Sequence, residues 1–506
     1  MKITLVLFLL LSCFSFGQKL KFKISGQKDT TVFLLRYEGK GLYYADTADV
    51  KNQFVEFDGS KQTDGILVVL LPGKKYFEFI YNKEEVQMEA EGPDFVKSMK
   101  IIKSEENKVF YKYLNLLAVK REELSANNDT LSKLKPDSEN YTFFQQKNGL
   151  ISKDIIAYQK KVIVENPNLF VSKIIKIGMD IEVPEAPKDV HGKQIDSLFA
   201  YHYYRDHYFD NVDFSDDRMV SIPSFHSRLE TYFGNTMMVQ CWDSVIKYSF
   251  LLCDKLDPKS KAFQTCVSWI TSSFEQSKIM GMENVFVMMA DKYYCSSNKS
   301  GKSPAYWVPE DKLKELCETI TIRKKLLFGM VPPNVTLRDT SDQKWVDYYH
   351  IKADYTVLYF WEPTCGHCKT STPQLQELYE KKLKARNVEI FSVAKAVGED
   401  FKLWKDFVKD NHLTFITVGI TNSLFKAATE DYLQFVPKYT SIESLNYSEH
   451  FDVISTPTVF VLDKDKKVVG KKLSISQLED FLDALQHQEK SVKIFPLEVE
   501  LIDYKH

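Results

Sequence analysis

Very little in this sequence is charged in one direction. Lysine and arginine total 67 and aspartate and glutamate 69, a formal net charge of -2 over 506 residues. A protein that grips nucleic acid generally needs a basic face, so no nucleic-acid partner is expected. Long apolar runs are missing too. Beyond the first residues, no stretch approaches the roughly 20 residues that a membrane helix requires. Cysteine is sparse, 8 in the whole chain, which excludes a disulfide scaffold. The chain holds one C-x-x-C and no second one. A structural zinc site made of two such pairs would lack two of its four ligands, so neither a metal nor another cofactor is expected. Repeats and low-complexity segments are also absent.

What is present suits a folded chain. Hydrophobic residues make up 44% and charged residues 27%, within the globular range. The length suggests about three domains. Lys2 precedes an apolar run, Ile3 to Leu11, which leads through small and polar residues to Gly17-Gln18. This is the layout of an export leader over residues 1–17, and it places the mature chain in the periplasm or envelope. Leu10-Leu11-Ser12-Cys13 loosely resembles a lipoprotein cleavage box, a second route that would tether the chain through Cys13. The better small-residue cleavage site is Gly17.

The residue pattern changes twice along the chain. Residues 18–103 alternate short β-type runs with glycine-bearing turns, such as Thr31–Tyr37, Ile66–Leu71 and Tyr76–Tyr81. They predict an antiparallel β-sandwich-like or meander domain. Residues 104–326 show helical spacing, as in Val109, Phe110, Tyr113, Leu114 and Leu117, and predict a mostly α middle domain. Residues 327–488 alternate strands and helices, the pattern of an α/β domain with a central sheet. Residues 489–506 are expected to form a tail, as an extra strand or arm. Ser474 to Gln477 fits a capping box at the start of the last helix.

Chemistry is concentrated in Phe360-Trp361-Glu362-Pro363-Thr364-Cys365-Gly366-His367-Cys368-Lys369, between a predicted strand and a predicted helix. A thiolate at a helix N-terminus is favoured by the macrodipole and by free backbone N–H groups. Two intervening residues let both sulfurs meet within one turn. Cys365 is the expected attacking sulfur and Cys368 the resolving one.

Phe360-Trp361, Cys365-Gly366-His367-Cys368, Pro373 and Thr456-Pro457 resemble the thioredoxin superfamily, and within it the exported TlpA/ResA-like thiol–disulfide oxidoreductases. The resemblance covers residues 328–486. A peroxidase of that superfamily would carry Thr or Ser where this chain has Glu362. The resemblance implies a cis bond before Pro457, with Thr456 and Pro457 beside the sulfurs, and Trp361, Glu362, Gly366 and His367 as supporting residues. It also implies protein clients bearing thiols or disulfides, and a membrane redox partner as electron source. Two departures stand out. Thioredoxins carry a buried Asp where this chain has Tyr359, and TlpA/ResA-like proteins often carry a Glu where it has Ser371. Glu362 or water is expected to take over proton transfer. The upstream regions resemble the β-rich and helical parts of exported multidomain relatives, which have no assigned chemistry.

The remaining candidates read as structural. Cys241, Cys253, Cys266, Cys295 and Cys317 lack C-x-x-C spacing and are expected to be spectators, as small buried hydrophobes. Met280, Met282, Met288 and Met289 are expected in the core. So are Phe425, Tyr432, Phe435 and Tyr439, on an inserted helix. His202 and His207 have no third metal partner. Protonated His367 is expected to stabilise the Cys365 thiolate and shift the pair toward oxidation. A reading from another class is a client- or glycan-binding surface protein whose thioredoxin-like domain is only structural.

Overall fold

The computed structural model describes residues 18–297 and 301–496. The expected leader, Cys13 and the last ten residues of the expected tail lie outside the described residues. The chain divides into two compact units. One holds the residues up to Met238 with Lys255–Cys266, the other Val239–Asp254 with the residues from Val267 onward.

The first unit begins with β1 (Lys19–Ser25), β2 (Thr30–Glu38), β3 (Gly41–Val50), β4 (Phe54–Asp58), β5 (Gly65–Leu71), β6 (Lys75–Tyr81), β7 (Val86–Glu91) and β8 (Lys100–Lys103). In β1, lysines alternate with Leu20, Phe22 and Ile24, so the pleat sends every apolar side chain inward. The strands form two four-stranded sheets, β4-β1-β7-β8 and β3-β2-β5-β6. Phe22 on β1 meets Phe77 and Phe79 on β6, with ring centroids 5.4 and 4.9 Å apart, which joins the sheets across one core. β1 and β7 pair in parallel, so the expected purely antiparallel arrangement is corrected. Alternation reveals which face of a strand is buried but not which strand lies beside it.

Two long helices follow, α1 (Glu105–Leu131) and α2 (Glu139–Glu165). Ser104 and Ser138 cap them by accepting N–H bonds from Asn107 and Tyr141. The buried Glu106 carboxylate accepts the N–H groups of Phe170 (2.7 Å) and Val171 (2.9 Å), at the positive end of the helix Phe170–Ile177. His202 and His207 each contact one carboxylate, Asp196 and Asp210. No metal-holding cluster exists among the described residues.

The second unit carries the helices Trp242–Cys253 and Glu283–Ala290, then α3 (Glu310–Arg323), then a seven-stranded sheet. Its strands are β9 (Thr336–Asp339), β10 (Trp345–Asp347), β11 (Tyr355–Trp361), β12 (Val388–Ala394), β13 (Ile416–Gly419), β14 (Thr458–Asp463) and β15 (Val468–Lys471). They lie in the order β10-β9-β13-β12-β11-β14-β15. β11, β12 and β13 are mutually parallel, and β14 runs antiparallel to β11. From Val357 to Trp361, β11 is a run of large hydrophobic residues because both its faces are covered. Val357, Tyr359 and Trp361 enter one core, Leu358 and Phe360 the other. The helices are α4 (Gly366–Leu378), α5 (Glu399–Asp410), α6 (Asn422–Asp431) and α7 (Ile475–Leu485), the last opened by the predicted Ser474/Gln477 capping box.

Several expectations change here. Cys295 and Cys317 form a disulfide, which corrects their reading as buried spectators. Cys253 and Cys266 are buried as expected, while Cys241 is exposed. Met282 and Met289 are buried, and Met280 is 42% exposed. Of the four aromatics expected in the core, Phe435 joins its edge. Phe425 and Tyr432 are half exposed, and Tyr439 stacks on Trp345. Residues 490–496 form no strand. They dock through Ile494 and Phe495, whose N–H groups reach the buried Glu479 carboxylate at 3.0 and 2.8 Å.

Candidate active site

The order of β11, its following loop and α4 dictates where Cys365 sits. β11 ends on the buried Trp361, whose indole Nε1 donates to Ser392 Oγ (3.3 Å) on β12. Glu362 O accepts the N–H of Cys365 (3.2 Å) and turns the chain into α4. Cys365 occupies the N-cap position, with φ −70° and ψ 127°, which sets it at the positive end of the helix.

The two sulfurs have opposite environments. Cys365 is partly exposed and Cys368 fully buried. Partial burial works against the Cys365 thiolate. Hydrogen bonds from the Cys368 N–H, the Thr456 and Cys368 side chains and the His367 N–H outweigh it, and they hold this thiol below its ordinary value. The Cys365 thiol also lies 3.3 Å from the Thr456 carbonyl, to which it can donate when protonated. Burial pushes the Cys368 thiol up to about 12.

Thr456 and Pro457 are brought to the sulfurs from 91 residues away, at the start of β14, and their peptide bond is cis. Gly92–Pro93 and Val436–Pro437 are also cis, which was not anticipated. His367 is exposed, and its contribution to Cys365 comes through the backbone N–H. Gly366 has no positive φ, and a Cβ placed on it would meet nothing within 4 Å. Glu362 lines a pocket of about 120 Å³ beside the sulfurs, with Lys395, Tyr447, Ile454 and Thr456. Its backbone, rather than its carboxylate, acts on Cys368.

Beneath the buried sulfur the two departures noted in the sequence meet each other. The Tyr359 hydroxyl lies 2.9 Å from Ser371 Oγ and 2.8 Å from Thr372 Oγ1. Burial raises the Tyr359 hydroxyl above its ordinary value, with Cys368 and Cys365 adding to the effect. The sequence singled out Tyr359 and Ser371 but contained no signal that they touch. Tyr447 to Ser455, which wall the pocket, were not foreseen at all.

Residues 353–468 match the family model described as thioredoxin-like. The C-terminal domain is thioredoxin-like. Residues 19–110 match the model of a domain of unknown function, DUF4369. A comparison with curated proteins returns no match. Solved structures that resemble the chain include a domain of a possible thiol-disulfide isomerase from Cytophaga hutchinsonii. It has 25% identity and a TM-score of 0.24, and the match covers 32% of this chain and 96% of that one. A thioredoxin-like protein from Bacteroides caccae has 15% identity and a TM-score of 0.41, covering 60% of this chain and 99% of that one. A thiol:disulfide interchange protein from Bacteroides sp. has 18% identity and a TM-score of 0.25, covering 33% and 93%. Within the thioredoxin-like domain the matched segment contains β11, the C-x-x-C turn and Thr456-Pro457.

Proposed function

We propose that this chain is an exported thiol–disulfide oxidoreductase that exchanges a Cys365–Cys368 disulfide or dithiol with protein clients. The observation that carries the reading is the contrast between the two thiols. One is accessible and stabilised as thiolate, while its neighbour is buried and held protonated. In the reducing direction the Cys365 thiolate attacks one sulfur of a client disulfide, and the other client sulfur leaves as thiolate. Cys368 then gives up its proton and attacks Cys365. This releases the client dithiol and leaves the pair oxidised, to be reduced again by a membrane redox partner. The reverse sequence oxidises a client dithiol. Export is supported by the leader-like residues 1–17 and by the Cys295–Cys317 disulfide, since such bonds persist in oxidising compartments.

The test is catalysis of insulin reduction by the purified protein with dithiothreitol as electron source. Turnover is expected. A folded protein with no activity above dithiothreitol alone would turn the assignment toward a binding protein with a structural thioredoxin-like domain.

His367 offers a finer prediction. Its N–H helps hold the Cys365 thiolate, and a stabilised thiolate makes the disulfide more oxidising. His367→Pro removes both the N–H and the imidazole, whereas His367→Ala removes the imidazole alone. A hydrogen bond to a charged group contributes about 1.5–3 kcal/mol. The reduction potential should therefore fall by about 30–60 mV in His367→Pro. Equal potentials in the wild type and His367→Pro would remove the N–H from the account. A fall of the same size in His367→Ala would assign the effect to the imidazole.

A further inference from the structure

The pocket beside the reactive sulfurs continues into a larger cleft. Ser448, Val453 and Ile454 line both, and the cleft, of about 440 Å³, runs on to Glu315, Glu318 and Ile322 of α3. Both lie within the second unit. The lining has an apolar floor and an acidic rim. Ile454 is 82% exposed although it sits two residues before Thr456. With Val453 and Ile322 it forms the apolar part of the cleft lining. Glu315, Glu318, Glu449 and Asp452 supply four carboxylates, and no lysine or arginine lines the cleft. Arg323 answers Asp452 at 2.9 Å and Lys312 answers Glu315 at 2.8 Å. Glu318 and Glu449 have no ion pair among the described residues. The α3 wall is fastened by the disulfide from Cys317 to Cys295, so its carboxylates are presented on a tethered element.

We infer that this cleft is the client-docking groove, and that it selects extended polypeptide segments carrying lysine or arginine next to the exchanging cysteine. The inference rests on the function proposed above and adds the chemical class of client. A segment whose cysteine reaches Cys365 passes Thr456 and Ile454 and lays its flanking residues along Glu449 and Glu318. Apolar contact with Ile454, Val453 and Ile322 is indifferent to charge. The carboxylates favour a cationic flank and disfavour an anionic one.

The experiment uses the full chain and two synthetic peptides with the same intramolecular disulfide, one flanked by lysines and the other by glutamates. Exchange with the reduced Cys365–Cys368 pair is followed by thiol release. The lysine peptide should react about tenfold faster at low ionic strength, and the difference should fade at about 1 M salt. Glu318→Gln with Glu449→Gln should bring the two peptides close to equal rates. Equal rates in the wild type, or a preference for the glutamate peptide, overturn the groove while leaving the proposed function standing. So does a lysine preference that survives in the double variant. Failure to react with either peptide overturns the proposed function, and the groove falls with it.

Discussion

Cys365→Ser should lower the rate of thiol–disulfide exchange at least about a hundredfold, while Cys368→Ser should accumulate a mixed disulfide with clients. The Cys365 thiol lies below its usual value near 9, and that of Cys368 lies at about 12. That contrast favours the Cys365 thiolate at neutral pH by a large factor. A thiolate of higher pKa is intrinsically more nucleophilic, which recovers nearly half of that factor on a logarithmic scale. Cys368 is also fully buried, out of reach of a client disulfide. In Cys365→Ser the only thiol left in the motif is therefore the scarce and inaccessible one. In Cys368→Ser the first attack still proceeds, but the resolving sulfur is gone, so the client stays attached. Non-reducing gels and mass spectrometry of the trapped adduct read the outcome. Trapping by Cys365→Ser and not by Cys368→Ser would reverse the two roles.

The second large effect concerns stability. Lys382→Met should destabilise the second unit by about 3 kcal/mol or more, because it strips a buried carboxylate pair of its shared cation. Lys382 Nζ lies 2.6 Å from Glu479 and 2.8 Å from Asp483, and all three side chains are buried. Asp483 keeps Arg386 and Lys493, each at 2.7 Å, whereas among the described residues Glu479 retains the N–H groups of Ile494 and Phe495. The loss should therefore fall mainly on Glu479 and on the docked 490–496 segment. Burial alone would raise both carboxyls, but the Lys382 ammonium and further hydrogen bonds reverse this and hold both below the ordinary range. Carboxyls depressed in the folded state stabilise it fully above about pH 4, and that stability is lost as pH falls through their folded values. Lys382→Met should therefore cost most near neutral pH and less as pH falls through those values, which flattens the acid limb. Calorimetry across a pH series measures both effects. A change below about 1 kcal/mol with an unchanged acid limb would show that the network contributes nothing net.

The parts of the site legible in the sequence are those carried by neighbouring residues. Trp361 to Cys368 lie on one strand-to-helix turn, and the Ser474/Gln477 cap is a four-residue pattern, so short-range chemistry defines both. Thr456-Pro457 was legible through the resemblance, which sets a Thr-Pro dipeptide ahead of an apolar strand beside the sulfurs. Contacts between distant segments were not. Nothing in a count of cysteines pairs Cys295 with Cys317, since spacing alone leaves every connectivity open. The parallel register of β1 on β7 is equally silent, because alternation is the same for either partner. β9 and β10 are short, and their residues are only half committed to the core, so no periodic signal marks them. The cleft against α3 is built from residues more than a hundred positions apart.

The hydroxyl cluster beneath Cys368 has a consequence for how the protein meets a changing environment. A carboxylate in that position switches charge as its surroundings acidify, and it carries the switch to the sulfur above it. Tyr359, Ser371 and Thr372 stay neutral from mild acid to mild alkali. The inner face of the redox pair is thereby insulated from external acidity. Of the two sulfurs, the outward one is then the one that registers pH.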